Sequence, residues 1–343
     1  MTALETTQNR TSTHSPLNGK PISMQEIQQP IAADLKAFDR YFQSAMKSSH
    51  RLLSLVTRYV LRQKGKRIRP TLVLLAAKTT GETTEATHRS AALVELLHTA
   101  SLVHDDVVDE ADRRRGLFSI NALWKNKVAV LFGDFLLSKG LLLSLDYKDY
   151  RQLHLLSDAI RRMSEGELLQ FEKTRHLDID EATYLQIISD KTASLIAACL
   201  ACGAASTTEN EDDIQKMKSV GEKLGIAFQI RDDLFDFGTD DVGKPLGIDL
   251  QEKKMTLPLI YALKNATTSE RKSILNLVRK KKKTHSDISY IQDFVRKQQG
   301  ISYTRKMMMQ YAQEAREMLL TFPESPARDA LINLVYYTVA RQK

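Results

Sequence analysis

Apolar residues recur along this chain at intervals of three and four over long windows, which marks helices that bury one face. Ile31, Leu35, Phe38, Phe42 and Met46 form one stripe behind Pro30, a first-turn proline, and Leu52, Leu53, Val56 and Val60 form a second. Residues 63–70 interrupt the pattern with Gly65 and Pro70, and a new helix is expected to open at Thr71. One long helix is expected over 84–111, with Leu93, Leu96, Leu97, Ala100, Val103 and Val107 on its apolar face. Further helices are expected through 128–145, 150–171, 181–205, 214–237, 257–263, 290–298, 303–320 and 327–341. No stretch alternates with period two, so no strand is expected. The fold class is all-α.

Composition agrees. With 42% hydrophobic and 27% charged residues and a mean hydropathy of −0.32, the 343-residue chain can bury a large core, which excludes disorder throughout. Only 14 Gly and 8 Pro make turns scarce and elements long. No Pro-, Gly- or Ser-rich boundary divides the middle, so 21–343 reads as a single helical domain and 1–20, polar and rich in Ser, Thr and Asn, as a disordered tail. The longest uncharged window, 192–208, is too short and too weakly apolar to span a bilayer, and no basic-then-apolar leader opens the chain, so a cytoplasmic protein is expected.

Net charge is +8, but the run Arg279, Lys280, Lys281, Lys282 and Lys283 supplies five of those charges. A nucleic-acid footprint is broader and interleaved with aromatics, so no nucleic-acid partner is expected. The run is read as a solvated loop between helices, with an anionic membrane surface or nucleic acid as the alternatives. Cys199 and Cys202 form a C-x-x-C, yet they lie in an Ala-rich helical stretch with no nearby His, and core packing explains them better than metal or redox chemistry.

Candidate chemistry starts at Asp105, Asp106 and Asp109. On a helix, residues four apart stack one turn above another, so Asp105 and Asp109 point the same way and something positive must compensate them. Taken alone, the motif could be a solvated acidic helix end. The arrangement recurs, however, at Asp232, Asp233 and Asp236, with one constant offset of 127 and again behind an apolar run. Two facing carboxylate clusters suit hard divalent cations, and Mg²⁺ held by one or two carboxylates takes its remaining ligands from water and substrate phosphates. A diphosphate substrate is implied. Basic residues occur where such a substrate needs them: Lys66, Arg67 and Arg69 near Pro70; Arg113, Arg114 and Arg115 after the first cluster; Lys191 beside Thr192; and Lys244, Lys253 and Lys254 after the second cluster. His98, two turns before Asp105, falls on the acidic face, as a structural residue or as a phosphate donor.

The ordered set G-K-x-x-R-P, H-x6-D-D-x-x-D, R-R-G, K-T, Q-x-x-D-D-x-x-D and G-K resembles the trans-isoprenyl diphosphate synthases over nearly the whole chain from about Pro30. The resemblance implies a helical bundle around a deep central cavity, a homodimer, and head-to-tail condensation of isopentenyl diphosphate with an allylic diphosphate. It implies that Asp105, Asp109 and Asp232 hold three Mg²⁺, supported by Asp106, Asp233, Asp236 and Asp249. Lys66, Arg69, His98 and Arg115 would then bind isopentenyl diphosphate, and Arg114, Lys191, Lys244 and Lys254 the allylic one, with Thr192 and Gln229 at the reacting centre. Lys64, where the family often has glycine, and the extra Arg113 are departures that remove no matched role.

Product length is the finer expectation. Aromatic residues close the cavity of short-chain relatives one turn before the first cluster, where this chain has Ala100 and Ser101. The 16 residues from Arg89 to Asp105 rise roughly 24 Å, enough for on the order of five isoprene units, so a long-chain product for a quinone side chain is expected. The blander reading is that these small residues let helices pack closely. A geranylgeranyl-type or farnesyl synthase, a class I terpene cyclase and a non-catalytic helical subunit are the competitors; the Lys66, Arg69 and His98 set disfavours the cyclase, and the intact acidic motifs disfavour the subunit. Peripheral membrane contact would serve product release.

Overall fold

The computed structural model describes residues 22–62, 65–114, 116–237 and 247–340. The expected tail, the Arg115 and Lys244 sites and the Lys64 departure lie outside the described residues. The described chain is almost wholly helical: α1 (Met24–Gln28), a 3₁₀ turn (Gln29–Ile31), α2 (Ala32–Ala45), α3 (Arg51–Arg62), α4 (Ile68–Thr80), α5 (Glu85–Val108), α6 (Ile120–Asp146), α7 (Tyr150–His176), α8 (Glu181–Ile188), a π turn (Ser189–Ala193), α9 (Ser194–Ala205) and α10 (Glu211–Phe235). Then follow α11 (Ile248–Gln251), α12 (Leu257–Lys264), α13 (Thr268–Arg279), α14 (His285–Lys297), α15 (Gly300–Leu319) and α16 (Pro326–Ala340).

At the centre stands α9, every residue of which is buried. Its Ala, Gly and Cys side chains are small, so α4, α7 and α10 all close in on it. A Cβ built on Gly203 would lie 2.2 Å from the Val73 carbonyl oxygen, and one on Gly221 2.6 Å from the Ala197 Cα, so these glycines let backbones touch. Cys199 and Cys202 are free and fully buried in this core, and burial pushes the Cys199 thiol up to about 12, as the core-packing reading requires.

Four expectations need correction. A strand does exist: Arg113–Arg114 pairs antiparallel with Leu117–Phe118 around Gly116, whose φ of +80° makes the turn, and two residues per arm are too few to show alternation. The helix expected from Thr71 opens three residues earlier, at Ile68. The 181–205 helix is broken by the π turn. Finally, α13 was not expected, because only Ile274 and Val278 are buried on a largely polar segment. A reciprocal cap between Thr267 and Glu270 nevertheless starts it.

The basic run is only partly a solvated loop. Lys280 pairs with Asp287 at 2.8 Å, and Lys283 is buried, its backbone held by both ends of the Gln251 side-chain amide. By length and apolarity both α6 and the 181–205 stretch could cross a membrane, which departs from the reading of 192–208. The second is core, 83% buried, whereas α6 is only 33% buried and exposes Leu123, Leu131, Leu142 and Leu145.

Candidate active site

Each acidic motif ends a helix. Asp109 caps the C-terminus of α5 and Asp236 that of α10, so carboxylates gather at the negative ends of two helix dipoles, where cations are favoured. Both helices pack on α9, and Lys191, just before it, borders both the cavity at Asp105 and the cavity at Asp233, so the two motifs flank one region.

Three cavities lie there in series. The first, about 480 Å³, is bordered by Lys66, Arg67, Arg69, His98, Asp106 and Arg114. The second, about 470 Å³, opens beside Asp105 and runs between Leu97, Ala100, Ser101, Leu137, Met163 and Leu195. The third, about 180 Å³, is bordered by Thr192, Gln229, Asp233, Asp249 and Lys254. His98 borders the first and second, and Lys191 the second and third. His98 is 7% exposed, so it is buried as well as facing the acidic side.

The six motif carboxylates divide into two kinds. Asp105 and Asp109 are exposed, and among the described residues no side chain forms an ion pair with either. Partial burial and the like charge of Asp109 raise the Asp105 carboxyl, while Arg114 and Lys191 pull the other way. Asp232 is half-buried. Asp106, Asp233 and Asp236 are buried with their oxygens engaged. Asp106 accepts from the Arg114 guanidinium at 2.6 Å, eight positions on, where the chain turns back after α5. Asp233 accepts from the Tyr184 hydroxyl at 2.7 Å and the Gln229 amide at 2.9 Å. Burial dominates over these bonds and, with the charges of Asp249 and Asp232, pushes Asp233 up to about 7. Asp236 accepts from the Leu250 amide at the start of α11, which fixes the segment carrying Asp249 and Lys254. The motif carboxylates thus differ in setting: Asp105 and Asp109 are exposed, Asp232 is half-buried, and Asp106, Asp233 and Asp236 are buried and bonded.

Lys191 and Thr192 occupy the π turn, the insertion that redirects side chains out of helical register. Lys191 Nζ bonds Glu167 and, at 2.7 Å, Gln170 of α7; the Thr192 hydroxyl donates to Gln229 at 3.0 Å. Lys254 is paired with Glu252 and Asp249, and those partners outweigh burial to raise it. Lys66 reaches Tyr337 of α16 at 3.4 Å. Gln170, Glu167 and Tyr184 belong to the site but were missed from sequence: the first two carry no motif, and Tyr184 meets Asp233 across 49 positions.

A helical bundle with two aspartate-bearing helix ends around basic and apolar cavities defines a prenyltransferase of the isoprenoid synthase fold. The chain belongs to the polyprenyl synthetase family, whose match covers residues 50–295. It is 36% identical over 322 residues, 92% of this chain and 98% of the relative, to the all-trans-nonaprenyl-diphosphate synthase (geranyl-diphosphate specific) of Rhodobacter capsulatus. It is similar to a polyprenyl synthase from Caulobacter crescentus solved with calcium and isoprenyl diphosphate, with TM-score 0.84, 31% identity, and coverage of 94% of this chain and 99% of that one. It is also similar to a geranylgeranyl pyrophosphate synthase from Bacteroides thetaiotaomicron, with TM-score 0.78, 37% identity, and coverage of 93% and 99%.

Proposed function

We propose that this protein condenses isopentenyl diphosphate head-to-tail with an allylic diphosphate and repeats the step to a long-chain all-trans polyprenyl diphosphate, for a quinone side chain. The observation that carries this reading is the serial arrangement of a basic cavity, an apolar cavity and a second acidic cavity, joined through His98 and Lys191. Lys66, Arg69 and His98, with Arg115, bind the isopentenyl diphosphate. Lys191 and Lys254, with Arg114 and Lys244, bind the allylic one between the aspartate motifs.

The donor set fits Mg²⁺: Asp105, Asp109 and Asp232 carry hard carboxylate oxygens, those of Asp105 and Asp109 on exposed side chains, and a related structure was solved with calcium. Asp105, Asp109 and Asp232 would hold three Mg²⁺, which when bound withdraw charge from the departing diphosphate. The chain's own groups do the rest. Lys191, fixed between the two motifs, stabilises charge that grows on the leaving oxygens more than the ground state. The Thr192 hydroxyl and Gln229 amide present dipoles to the allylic carbon as it becomes cationic. Leu97, Leu137, Ile160 and Leu195 keep water from that carbon while the isopentenyl double bond attacks. No side chain at the reacting centre is a dedicated base among the described residues, which leaves the released diphosphate to accept the final proton.

Room for a long product comes from Ala100 and Ser101, which leave the wall of the second cavity without a bulky side chain beside Asp105. The exposed apolar face of α6 supports a homodimer, and the reading places the enzyme in the cytoplasm with that face buried by its partner and with peripheral membrane contact at product release. The test is incubation of purified protein with Mg²⁺, isopentenyl diphosphate and each allylic primer. Products longer than geranylgeranyl, lost by two or more orders of magnitude in Asp105→Ala and Asp232→Ala variants that remain folded, are expected. A geranylgeranyl product would select the short-chain alternative.

A further inference from the structure

The π turn that carries Lys191 and Thr192 is held by a part-buried polar cluster on its first two residues, Ser189 and Asp190, facing away from the cavities. Arg162 of α7 donates from Nε to Asp190 at 2.7 Å, and from Nη2 to the Ser189 hydroxyl and to Glu222 of α10, each at 3.0 Å. Ser189 in turn donates to Glu222 at 2.7 Å, and Gln186 bonds the second Asp190 oxygen. Asp190 and Ser189 are buried, 8% and 9% exposed. None of these groups borders the three cavities. Arg162 stands eight residues from Gln170, about 12 Å along α7, so the cluster grips the turn from a different level than the site does.

Ion pairs at this part-buried level cost desolvation that their attraction need not repay, so they are weak evidence of a purely stabilising role. A π turn gives them another. Its hydrogen bonding is poorer than that of a regular helix, and this segment could relax toward the continuous helix that its apolar pattern favours. Packing confirms how little slack the turn has: a Cβ on Gly166 would meet the Asp190 Cβ and the Lys191 amide nitrogen, both at 2.9 Å, and one on Gly225 would lie 2.5 Å from the Ala193 Cα.

We infer that Arg162 and Asp190, with Ser189 and Glu222, are positioning residues that lock the π turn so that Lys191 faces the junction of the second and third cavities and Thr192 the third. This rests on the assignment of Lys191 to the allylic diphosphate. Asp190→Asn is nearly isosteric and weakens the grip of Arg162; Arg162→Lys keeps the charge and loses the fork.

The experiment measures steady-state kinetics for both substrates in Asp190→Asn, Arg162→Lys, Lys191→Ala and the Asp190→Asn/Lys191→Ala double variant, with thermal melts of each. Misplacement by about 1 Å costs on the order of 100-fold, so in the single positioning variants kcat/KM for the allylic diphosphate should fall 10- to 100-fold. KM for isopentenyl diphosphate, bound at Lys66, Arg69 and His98, should stay within about twofold. In the Lys191→Ala background Asp190→Asn should add much less than it costs alone, because most of its effect runs through the lysine and only the remainder through Thr192. A purely structural cluster would lower Tm and change both substrates alike, or give additive losses, and either result overturns the inference. If Arg162→Lys does not fold, Asp190→Asn and the double variant decide. If Lys191→Ala leaves allylic kinetics unchanged, the functional assignment of Lys191 fails; if it impairs them and Asp190→Asn does not, only the positioning role fails.

Discussion

Filling the second cavity at Ser101 should shorten the product. Ser101 lies four residues before Asp105, about 6 Å down α5 and rotated only about 40° from it, so its side chain stands almost directly beneath the carboxylate. It is half-buried on the cavity wall, its hydroxyl turned back to the His98 carbonyl. Ala100 is one residue further but rotated about 140°, and at 3% exposed it packs in the cluster with Phe132 and Leu136 while touching the same cavity. An isoprene unit covers about 4–5 Å. With the reacting carbon held at the aspartates, the roughly 6 Å down to a phenyl ring at 101 takes about one to two units, against the five or so that the length of α5 would accommodate. Ser101→Phe should therefore stop at about geranyl- to farnesyl-length product and turn over a geranyl primer better than a farnesyl one. Ala100→Phe should also shorten the ladder, with a loss of about 1–3 kcal/mol in stability from overpacking against α6. The assay is reaction with Mg²⁺ and excess isopentenyl diphosphate, phosphatase hydrolysis, and mass-spectrometric sizing of the alcohols. A Ser101→Phe enzyme of normal rate with the native ladder would show that the chain grows elsewhere.

Two further outcomes follow from single side chains. Asp233, held up near 7, is protonated in the metal-free fold below that pH and ionised in the unfolded chain above about 3.9. The unfolded state thus binds fewer protons between those values, so stability falls as pH rises from about 4 to 7. Asp233→Asn should remove this term, raising metal-free stability at pH 8 by about 4 kcal/mol at most and leaving it nearly unchanged at pH 4, as urea denaturation in chelator will show; a gain equal at both pH values would contradict the burial argument. At Gly203 the Val73 carbonyl lies 2.2 Å from the position of a new Cβ, so Gly203→Ala should cost about 1–3 kcal/mol in denaturant melts, with both substrates' KM unaltered.

How far the sequence disclosed this molecule depends on which contacts are local. The acidic motifs were legible because i, i+1, i+4 spacing on a helix fixes relative direction, and their repetition after apolar runs fixed their common placement at helix ends. The K-T pair was legible as polar residues inside an apolar stretch. What turns that pair into the cavity was not: hydrophobic periodicity runs unbroken through 181–205, and the π turn depends on Arg162 and Glu222, which lie 28 and 32 positions from Asp190. The resemblance implied which carboxylates support the others, but nothing near Asp106, Asp233 or Asp236 says that their oxygens are taken by Arg114, by Tyr184 with Gln229, and by the backbone of α11, because those contacts form only in three dimensions. For α13, only two buried residues supplied a pattern, although its capping pair was readable.

That division of the carboxylates bears on how metal and substrate bind. Asp105 and Asp109 lie at a helix C-terminus with no ion pair to any described side chain, and partial burial together with the charge of Asp109 raises Asp105, so the two carboxylates repel each other in a way that a cation relieves. Yet among the described residues no three Asp, Glu, His or Cys side chains converge into a cage. Mg²⁺ demands near-octahedral oxygen coordination and would have to draw most of it from water, unless a diphosphate supplies oxygens from the far side while Lys191 exchanges Glu167 for the new anion. Metal and diphosphate should therefore bind as a pair. In thermal melts, Mg²⁺ alone and inorganic diphosphate alone should each give small shifts, whereas both together at about 100 times the joint Kd should add roughly 2.7 kcal/mol. Asp105→Ala should abolish the joint shift, and Lys191→Ala should reduce it. Full stabilisation by Mg²⁺ alone would mean that the protein completes the coordination by itself, and the view of the leaving group as a metal ligand would have to be given up.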